Sequence, residues 1–142
     1  MLNPDVPIEE LKDAYTKWRD TKGGNLDQVL GLFDDQIEMH SVLEPDVQHA
    51  LARVQRSRED TRNYFRELLD NWDMVDFPTE KIVADGDTVV WIGRCHWRNK
   101  HDGKELNTPK IDVWTFRDGK AVRFFEMFDS LGFARTVGLI PA

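Results

Sequence analysis

Two carboxylates lie in apolar segments whose alternation is typical of β-strands. Asp112 stands in NTPKIDVWTF (107–116), where alternation places it on one face with Lys110, Trp114 and Phe116. Glu126 stands in FFEMF (124–128) and shares its face with phenylalanines. An ionised carboxylate in apolar surroundings is costly unless it is paired, hydrogen-bonded or protonated. Two such acids on one concave face can separate their pKa values into an acid and a base, which indicates proton-transfer chemistry.

Each carboxylate also has a purely structural interpretation. Asp112 could be satisfied by backbone groups or by Lys110, and Glu126 could be an exposed residue at a sheet edge or a dimer face. A cavity filled by tryptophans, or an Asp112 held in a salt bridge with Lys110 or Arg94, would count against an enzyme. The residue types alone leave both interpretations open.

The histidines and the cysteine offer weaker candidates. His40 could act as a base if its strand twists or bulges, whereas His96 is expected on the face opposite Asp112. The four histidines show no HxH or HExxH spacing, so we expect no metal site. Cys95 is expected to pack as a small apolar residue, and no phosphate-binding loop or cofactor motif is present. The predicted chemistry therefore needs no cofactor.

Helical periodicity in the first half of the chain predicts three helices. The first follows Pro7, carries Tyr15 and Trp18 on its apolar face, and ends at the glycine pair 23–24. The second begins at Asn25, which with Gln28 resembles a capping box, and extends to about Phe33. A short strand is expected at 36–42, and Ser57 is expected to cap the third helix. The connection 43–55 is polar and could form a lid.

Three Asp-Gly turns predict a four-stranded antiparallel meander after Val75. The element order, helix, helix, strand, helix and four strands, indicates an α+β fold. A tight hairpin at Asp102-Gly103 would place Gly93 opposite Asp112 and would put Trp91, Cys95 and Trp97 on the same face. The other face of that strand, with Ile92, Arg94 and His96, is then expected to meet a second subunit.

Length and charge restrict the class of protein. The 142 residues suit one domain with a core, and 26 acidic against 19 basic residues give a net charge of −7. This charge argues against nucleic-acid and membrane partners. The N-terminus lacks the pattern of a signal peptide, and a single cysteine fits a reducing cytoplasm.

Several stretches resemble the NTF2-like superfamily, specifically the SnoaL-like polyketide cyclase and ketosteroid isomerase group. They are GGNLDQVLGLFDDQIEMHS, REDTRNYFRELL, KIVADGDTVVWIGR and IDVWTFRDGKAVRFFEMFDS. The resemblance covers nearly the whole chain, 1–142, as one SnoaL-like domain. It implies an NTF2-like (cystatin-like) cone in which three N-terminal helices pack on a curved, mostly antiparallel sheet around an apolar pocket, usually in a homodimer.

The resemblance also implies roles for individual residues. Asp112 falls where ketosteroid isomerases carry a protonated acid that donates a hydrogen bond to the substrate oxyanion. That acid is a well-known example of a carboxyl group kept neutral by an apolar site. Tyr15 falls near their oxyanion tyrosine, with Trp18 competing for the place. Glu126 falls near a catalytic carboxylate of limonene epoxide hydrolases. Ser41 stands where the isomerases keep their general base, so Glu126 or His40 would have to take that part.

We therefore expect a cofactor-independent isomerase, cyclase or dehydratase that acts on a small apolar molecule bearing a carbonyl group. Asp112, Tyr15, Glu126 and His40 are the candidate catalytic residues. The expected substrate-binding residues are Trp18, Met39, Ser41, Trp91, Trp97, Trp114, Phe124 and Phe128. The alternative is a non-catalytic ligand-binding or dimerisation module with the same fold.

Overall fold

A computed structural model describes residues 2–44 and 47–141 of the chain. The helices are α1 (Ile8–Asp20), α2 (Leu26–Leu30), α3 (Arg58–Asn71) and α4 (Ser130–Thr136), with a short 3₁₀ turn at Ala50–Ala52. The strands are β1 (Phe33–Ser41), β2 (Trp72–Asp76), β3 (Thr79–Asp85), β4 (Thr88–Asn99), β5 (Glu105–Arg117) and β6 (Lys120–Phe128). No helix in the described part of the chain is both long and apolar enough to span a membrane.

The strands form one curved sheet in the order β1-β6-β5-β4-β2, and β3 also pairs with β4. Within this sheet β1 runs parallel to β6, and the other pairs are antiparallel. The helices pack on the sheet, and the buried side chains between the two layers form a single core. The predicted α+β class and the mostly antiparallel curved sheet are confirmed.

Local signals account for most helix boundaries. Pro7 precedes α1, which has Glu9 and Glu10 in its first turn and basic residues in its last turn, as the helix dipole favours. At the start of α3, Ser57 Oγ accepts a hydrogen bond from the Asp60 N–H at 3.0 Å, which confirms the predicted cap. Asn25 does not cap α2, because its amide donates to Gln28 and to a backbone carbonyl of α1.

Three features differ from the expectation. The predicted four-stranded meander gains a further strand, β2, which continues directly from α3 and pairs with β4. A fourth helix, α4, follows β6, and Asp129 caps it. Helix α2 ends at Leu30 rather than near Phe33, because Phe33 already belongs to β1. The predicted polar connection 43–55 contains the 3₁₀ turn, whereas Pro45 and Asp46 lie outside the described residues.

The register between β4 and β5 is shifted by two residues from the prediction. Trp91, and not Gly93, lies directly opposite Asp112. The cause is a hairpin loop longer than a tight turn, in which the N–H of Gly103 donates to the carbonyl of Asn99 at 3.0 Å. A shift of two preserves the faces, so Trp91, Cys95 and Trp97 still share a face with Asp112 as predicted.

Candidate active site

A cavity of about 90 Å³ lies between the helices and the concave face of the sheet. Its walls are mostly apolar and include Tyr15 and five of the predicted substrate-binding residues, namely Trp18, Trp97, Trp114, Phe124 and Phe128. Asp112 and Glu126 also line it, from the adjacent strands β5 and β6. The two acids are direct cross-strand partners, so the sheet itself holds them side by side.

Lys110 lies between the two carboxylates. It precedes Asp112 by two residues on β5 and therefore projects from the same face. Its Nζ forms an ion pair with Asp112 Oδ1 and lies 3.3 Å from Glu126 Oε2. All three side chains are less than a tenth exposed. A buried carboxylate, ammonium and carboxylate therefore form one continuous cluster at the cavity wall.

Two helices each contribute a tyrosine to this cluster. Tyr15 of α1 donates its hydroxyl hydrogen to Asp112 Oδ2 at 2.5 Å, and its oxygen accepts from Trp114 Nε1 at 2.8 Å. Tyr64 of α3 donates to Glu126 Oε1. Every carboxylate oxygen of the pair thus faces a hydroxyl or the ammonium group. We call Tyr15, Asp112, Lys110, Glu126 and Tyr64 the acid-lysine cluster.

The charges of the acid-lysine cluster do not balance if both acids are ionised, because one ammonium then faces two carboxylates. Burial raises the pKa of Glu126 above its ordinary value; Lys110 opposes this shift and the nearby Asp112 adds to it. Burial alone would lower the pKa of Lys110, but Asp112 and Glu126 raise it above its ordinary value. Lys110 therefore stays an ammonium, and burial favours the protonated form of Glu126.

Asp112 accepts hydrogen bonds at both of its oxygens, from Tyr15 and from Lys110. This arrangement suits an ionised carboxylate and differs from the neutral, donating acid that the resemblance implied. The ion pair with Lys110 is also the contact that the structural interpretation anticipated. Any catalytic scheme must therefore assign Asp112 a different part.

The sequence of this chain matches a known protein family. Residues 13–124 match the model of the SnoaL-like domain, which is most of the chain. The chain belongs to the SnoaL-like family. The resemblance predicted from the sequence is thereby confirmed at the level of the family. None of the curated protein sequences matches the chain.

Solved structures show the same fold over nearly the whole SnoaL-like domain. An NTF2-like protein of unknown function from Burkholderia pseudomallei is 17% identical, with 92% of this chain and 95% of that chain covered and a TM-score of 0.78. TerC, crystallised with polyporic acid, is 20% identical; the match covers 96% of this chain and 99% of TerC, with a TM-score of 0.76. A candidate SnoaL-like polyketide cyclase from Jannaschia is 14% identical; the match covers 98% of this chain and 97% of that chain, with a TM-score of 0.74.

Four of the predicted residues do not line the cavity of this SnoaL-like domain. His40 Nδ1 lies 2.7 Å from Glu44 Oε1, away from the acid-lysine cluster. Met39 is buried in β1, beside Ser41, whose hydroxyl accepts from a backbone N–H in the turn that follows. Trp91 lies behind the cavity wall, where its ring stacks on Tyr15 at a centroid distance of 4.8 Å. Alternation along β1 alone could not show which of its faces meets the cavity.

Aromatic side chains around Lys110 help to hold the acid-lysine cluster in place. Lys110 Nζ lies 5.7–5.9 Å from the ring centroids of Phe77, Trp91 and Phe124, a distance at which cation–π attraction supports the ammonium. Gly93 makes room for this packing, since a Cβ there would lie 2.5 Å from the Trp91 ring and 2.2 Å from a backbone oxygen. The glycine thus has a packing role.

Tyr64 and Cys95 complete the polar lining. The apolar stripe of the third helix already contained Tyr64, but nothing in the stripe showed that its hydroxyl would reach Glu126, 62 residues away. Cys95 is buried in the wall, and burial raises the pKa of its thiol to about 12. The thiol is therefore neutral near pH 7, as expected for a packing residue.

Proposed function

We propose that this SnoaL-like domain, 1–142, is a small-molecule enzyme that catalyses cofactor-independent proton transfer on an apolar substrate bearing a carbonyl group. The reaction would be of the isomerase, cyclase or dehydratase type. The observation that carries the proposal is the Lys110 ammonium held between Asp112 and Glu126 at the wall of an apolar cavity. Acids in unequal surroundings can divide the work of proton donor and acceptor.

Glu126 is the proton carrier in this proposal. Its raised pKa brings its titration closer to neutral pH, where a carboxylate both takes and returns a proton efficiently. The Glu126 carboxylate removes a proton from the carbon next to the substrate carbonyl. The electron pair of that C–H bond forms an enolate, and Glu126 then returns the proton to a second position of the substrate.

Lys110 stabilises the enolate oxygen. Its ammonium has three N–H donors, and Asp112 and Glu126 account for two of them, which leaves one for a substrate oxygen. A fixed positive charge inside an apolar cavity stabilises developing negative charge strongly. Asp112 and Tyr15 are positioning residues, because they hold the ammonium charged and oriented without having to meet the substrate themselves.

A second candidate function is a non-catalytic ligand-binding module. The observation that favours it is the completeness of the acid-lysine cluster, in which each carboxylate oxygen already has a donor or cation within the protein. Such a cluster could serve only to orient the strands and helices around it. That TerC was crystallised with polyporic acid supports ligand binding by this fold without deciding between the two functions.

Hydrogen exchange at carbon distinguishes the two functions. Cyclohexanone and 2-tetralone are incubated with the protein in D₂O, and loss of the α-proton signal is followed by NMR, while quenching of tryptophan fluorescence reports binding. An enzyme accelerates exchange saturably over buffer, and Asp112→Asn and Glu126→Gln slow it. A ketone that binds without faster exchange supports the binding module. Equal rates in both variants and the wild type would remove the assigned roles.

The proposal also includes a homodimer in the cytoplasm. The face of the sheet opposite the cavity carries Ile92, Arg94 and His96 on β4, as predicted. Ile92 pairs with Ile111, which in turn pairs with Met127, so an apolar row crosses this face. Ile111 and Met127 are 36% and 44% exposed, which supports burial against a second copy.

A further inference from the structure

A second cavity, which we call the outer cavity, opens beside the first. Its volume is about 300 Å³. Its polar walls come from the 3₁₀ region, the end of α3 and the β4–β5 loop, with the residues His49, Glu67, Asn71, Asn99, His101 and Asp102. Leu51, Trp72 and Val137 supply its apolar part.

The outer cavity shares part of its wall with the cavity at the acid-lysine cluster, here called the inner cavity. Leu51 and Trp72 line both. Both residues are buried, and Trp72 packs near Phe133, another inner-cavity residue, at a ring-centroid distance of 6.5 Å. These two side chains are therefore a shared wall of the two spaces.

The inner cavity is small for a cyclic ketone. Its 90 Å³ is below the roughly 150 Å³ of an engineered cavity that holds benzene, and small-molecule sites commonly measure about 300–1,000 Å³. Together with the 300 Å³ of the outer cavity, the space falls within that range. A ligand with a ring and a side chain thus needs both spaces.

The outer cavity differs from the inner one in its chemistry. Glu67 and Asp102 contribute two carboxylates, and none of its lining residues within the described chain is Lys or Arg. Asp102 Oδ1 accepts from the N–H of Lys104, and His101 Nε2 lies 2.8 Å from Asn71 Oδ1. The exposed carboxylates of Glu67 and Asp102, with no lysine or arginine in the described lining, attract amines and hydroxyl hydrogens and repel anions.

We propose that the two cavities form one substrate site with two compartments, separated by Leu51 and Trp72. The substrate is amphipathic: its carbonyl end reaches the acid-lysine cluster in the inner cavity, its ring extends past Leu51 and Trp72, and a tail that donates hydrogen bonds, an amine or a hydroxyl, occupies the outer cavity. The assignment of the carbonyl end rests on the proposed function. The preference for the tail rests on the outer cavity alone.

Three matched ligands test this arrangement. They are 2-tetralones that carry an aminomethyl, a hydroxymethyl or a carboxyl group at the ring carbon farthest from the ketone, and quenching of tryptophan fluorescence measures their Kd values near pH 7. We expect the amine to bind most tightly and the carboxylate most weakly. The spread, meaning the ratio of their two Kd values, should be at least about fivefold. Equal Kd values, or no binding of any of the three, would overturn the proposal.

Substitutions in the outer cavity test whether its two carboxylates cause the preference for the amine. Glu67→Gln and Asp102→Asn are expected to reduce the spread to about twofold or less, because each removes one attracting charge. Asp70→Asn is the matched control, since Asp70 is exposed on the same helix as Glu67 and lines neither cavity. A spread that survives both outer-cavity variants, or that Asp70→Asn reduces equally, would contradict the assignment.

The partition has its own test. Leu51→Ala shortens a side chain that both cavities share, so the hydroxymethyl tetralone should bind faster in stopped-flow quenching, while acetone, a ketone without a ring, should bind at an unchanged rate. Equal rates for both ligands in the variant and the wild type would contradict a partition at Leu51. Because these readouts are binding constants and rates, they stand even if α-proton exchange is absent. Exchange without any tail preference would instead overturn the two-compartment site and leave the proposed function intact.

Discussion

Lys110 and Asp112 lie two residues apart on one face of β5 and form a buried ion pair at the wall of the inner cavity. The pair explains why a charged residue interrupts an apolar strand. Glu126 on the neighbouring strand completes the cluster from the other side of the ammonium, 3.3 Å away. This geometry is consistent with two roles for the cluster, one in stabilising the fold and one in catalysis. The two roles lead to different predictions.

Removal of the ammonium should destabilise the fold strongly. Lys110→Met keeps the aliphatic stem and leaves two buried carboxylates without a counter-charge, so we expect the free energy of unfolding to fall by about 3–5 kcal/mol. Urea denaturation followed by tryptophan fluorescence measures the loss. Lys12→Met is the control, because Lys12 forms an exposed ion pair with Glu9, and its replacement should cost less than about 1 kcal/mol. Equal losses in the two variants would show that Lys110 is not held by the acids.

Glu126 should make stability depend on pH. Its pKa is higher in the folded state than its ordinary value of 4.5, so between those values the native state binds more protons than the unfolded state. The stabilising contribution is present below pH 4.5 and is lost as the pH rises through the folded pKa. Glu126→Gln removes this decline, so the difference in unfolding free energy between wild type and variant should change as the pH rises above 4.5. A constant difference would contradict the raised pKa.

The two tyrosines should resist ionisation. Tyr15 and Tyr64 are the only tyrosines in the sequence, and burial together with the adjacent carboxylates raises both pKa values well above 10.0. The ultraviolet absorbance of tyrosinate should therefore be absent from the folded protein at about pH 11 and should appear in guanidinium chloride with a midpoint near pH 10. Titration of one tyrosine in the folded state near pH 10 would place its hydroxyl outside the cluster.

Strand faces could be predicted from the sequence because side chains alternate with a period of two. This periodicity placed Lys110, Asp112 and Trp114 together and survived the two-residue error in register between β4 and β5. The error came from the β4–β5 loop, which is longer than a tight turn and is tied to α3 by a hydrogen bond from the N–H of Lys100 to the carbonyl of Asn71. Such a tertiary contact leaves no local signal.

The tyrosine hydrogen-bond partners of Asp112 and Glu126 could not be predicted from the sequence, because they depend on how the helices pack on the sheet. Helical periodicity placed Tyr15 and Tyr64 on apolar faces, but the contact of Tyr64 with Glu126 follows from the rotation and position of α3 over the sheet. His40 illustrates the converse, since its type suggested a base whereas its local partner is Glu44, four residues on. The volumes of the two cavities depend on side-chain packing, which periodicity does not report.

The outer face of the sheet should mediate dimerisation. Ile111→Glu places a charge in the middle of the row from Ile92 to Met127, so a dimer formed through this face should dissociate. Sedimentation velocity at micromolar concentration is expected to show a dimer for the wild type and a monomer for the variant. A wild-type monomer, or a variant that remains dimeric, would contradict this interface.

The chemical part of Glu126 is tested most directly by the α-proton exchange rate of saturating 2-tetralone in D₂O, compared between the wild type and Glu126→Gln. Glu80→Gln, on the exposed strand β3, is the control, and tryptophan quenching verifies that the ketone still binds each protein. General acid–base catalysis by Glu126 predicts a decrease of at least about 100-fold in Glu126→Gln and none in the control. A rate within about twofold of the wild type, with the ketone bound, would contradict proton transfer by Glu126.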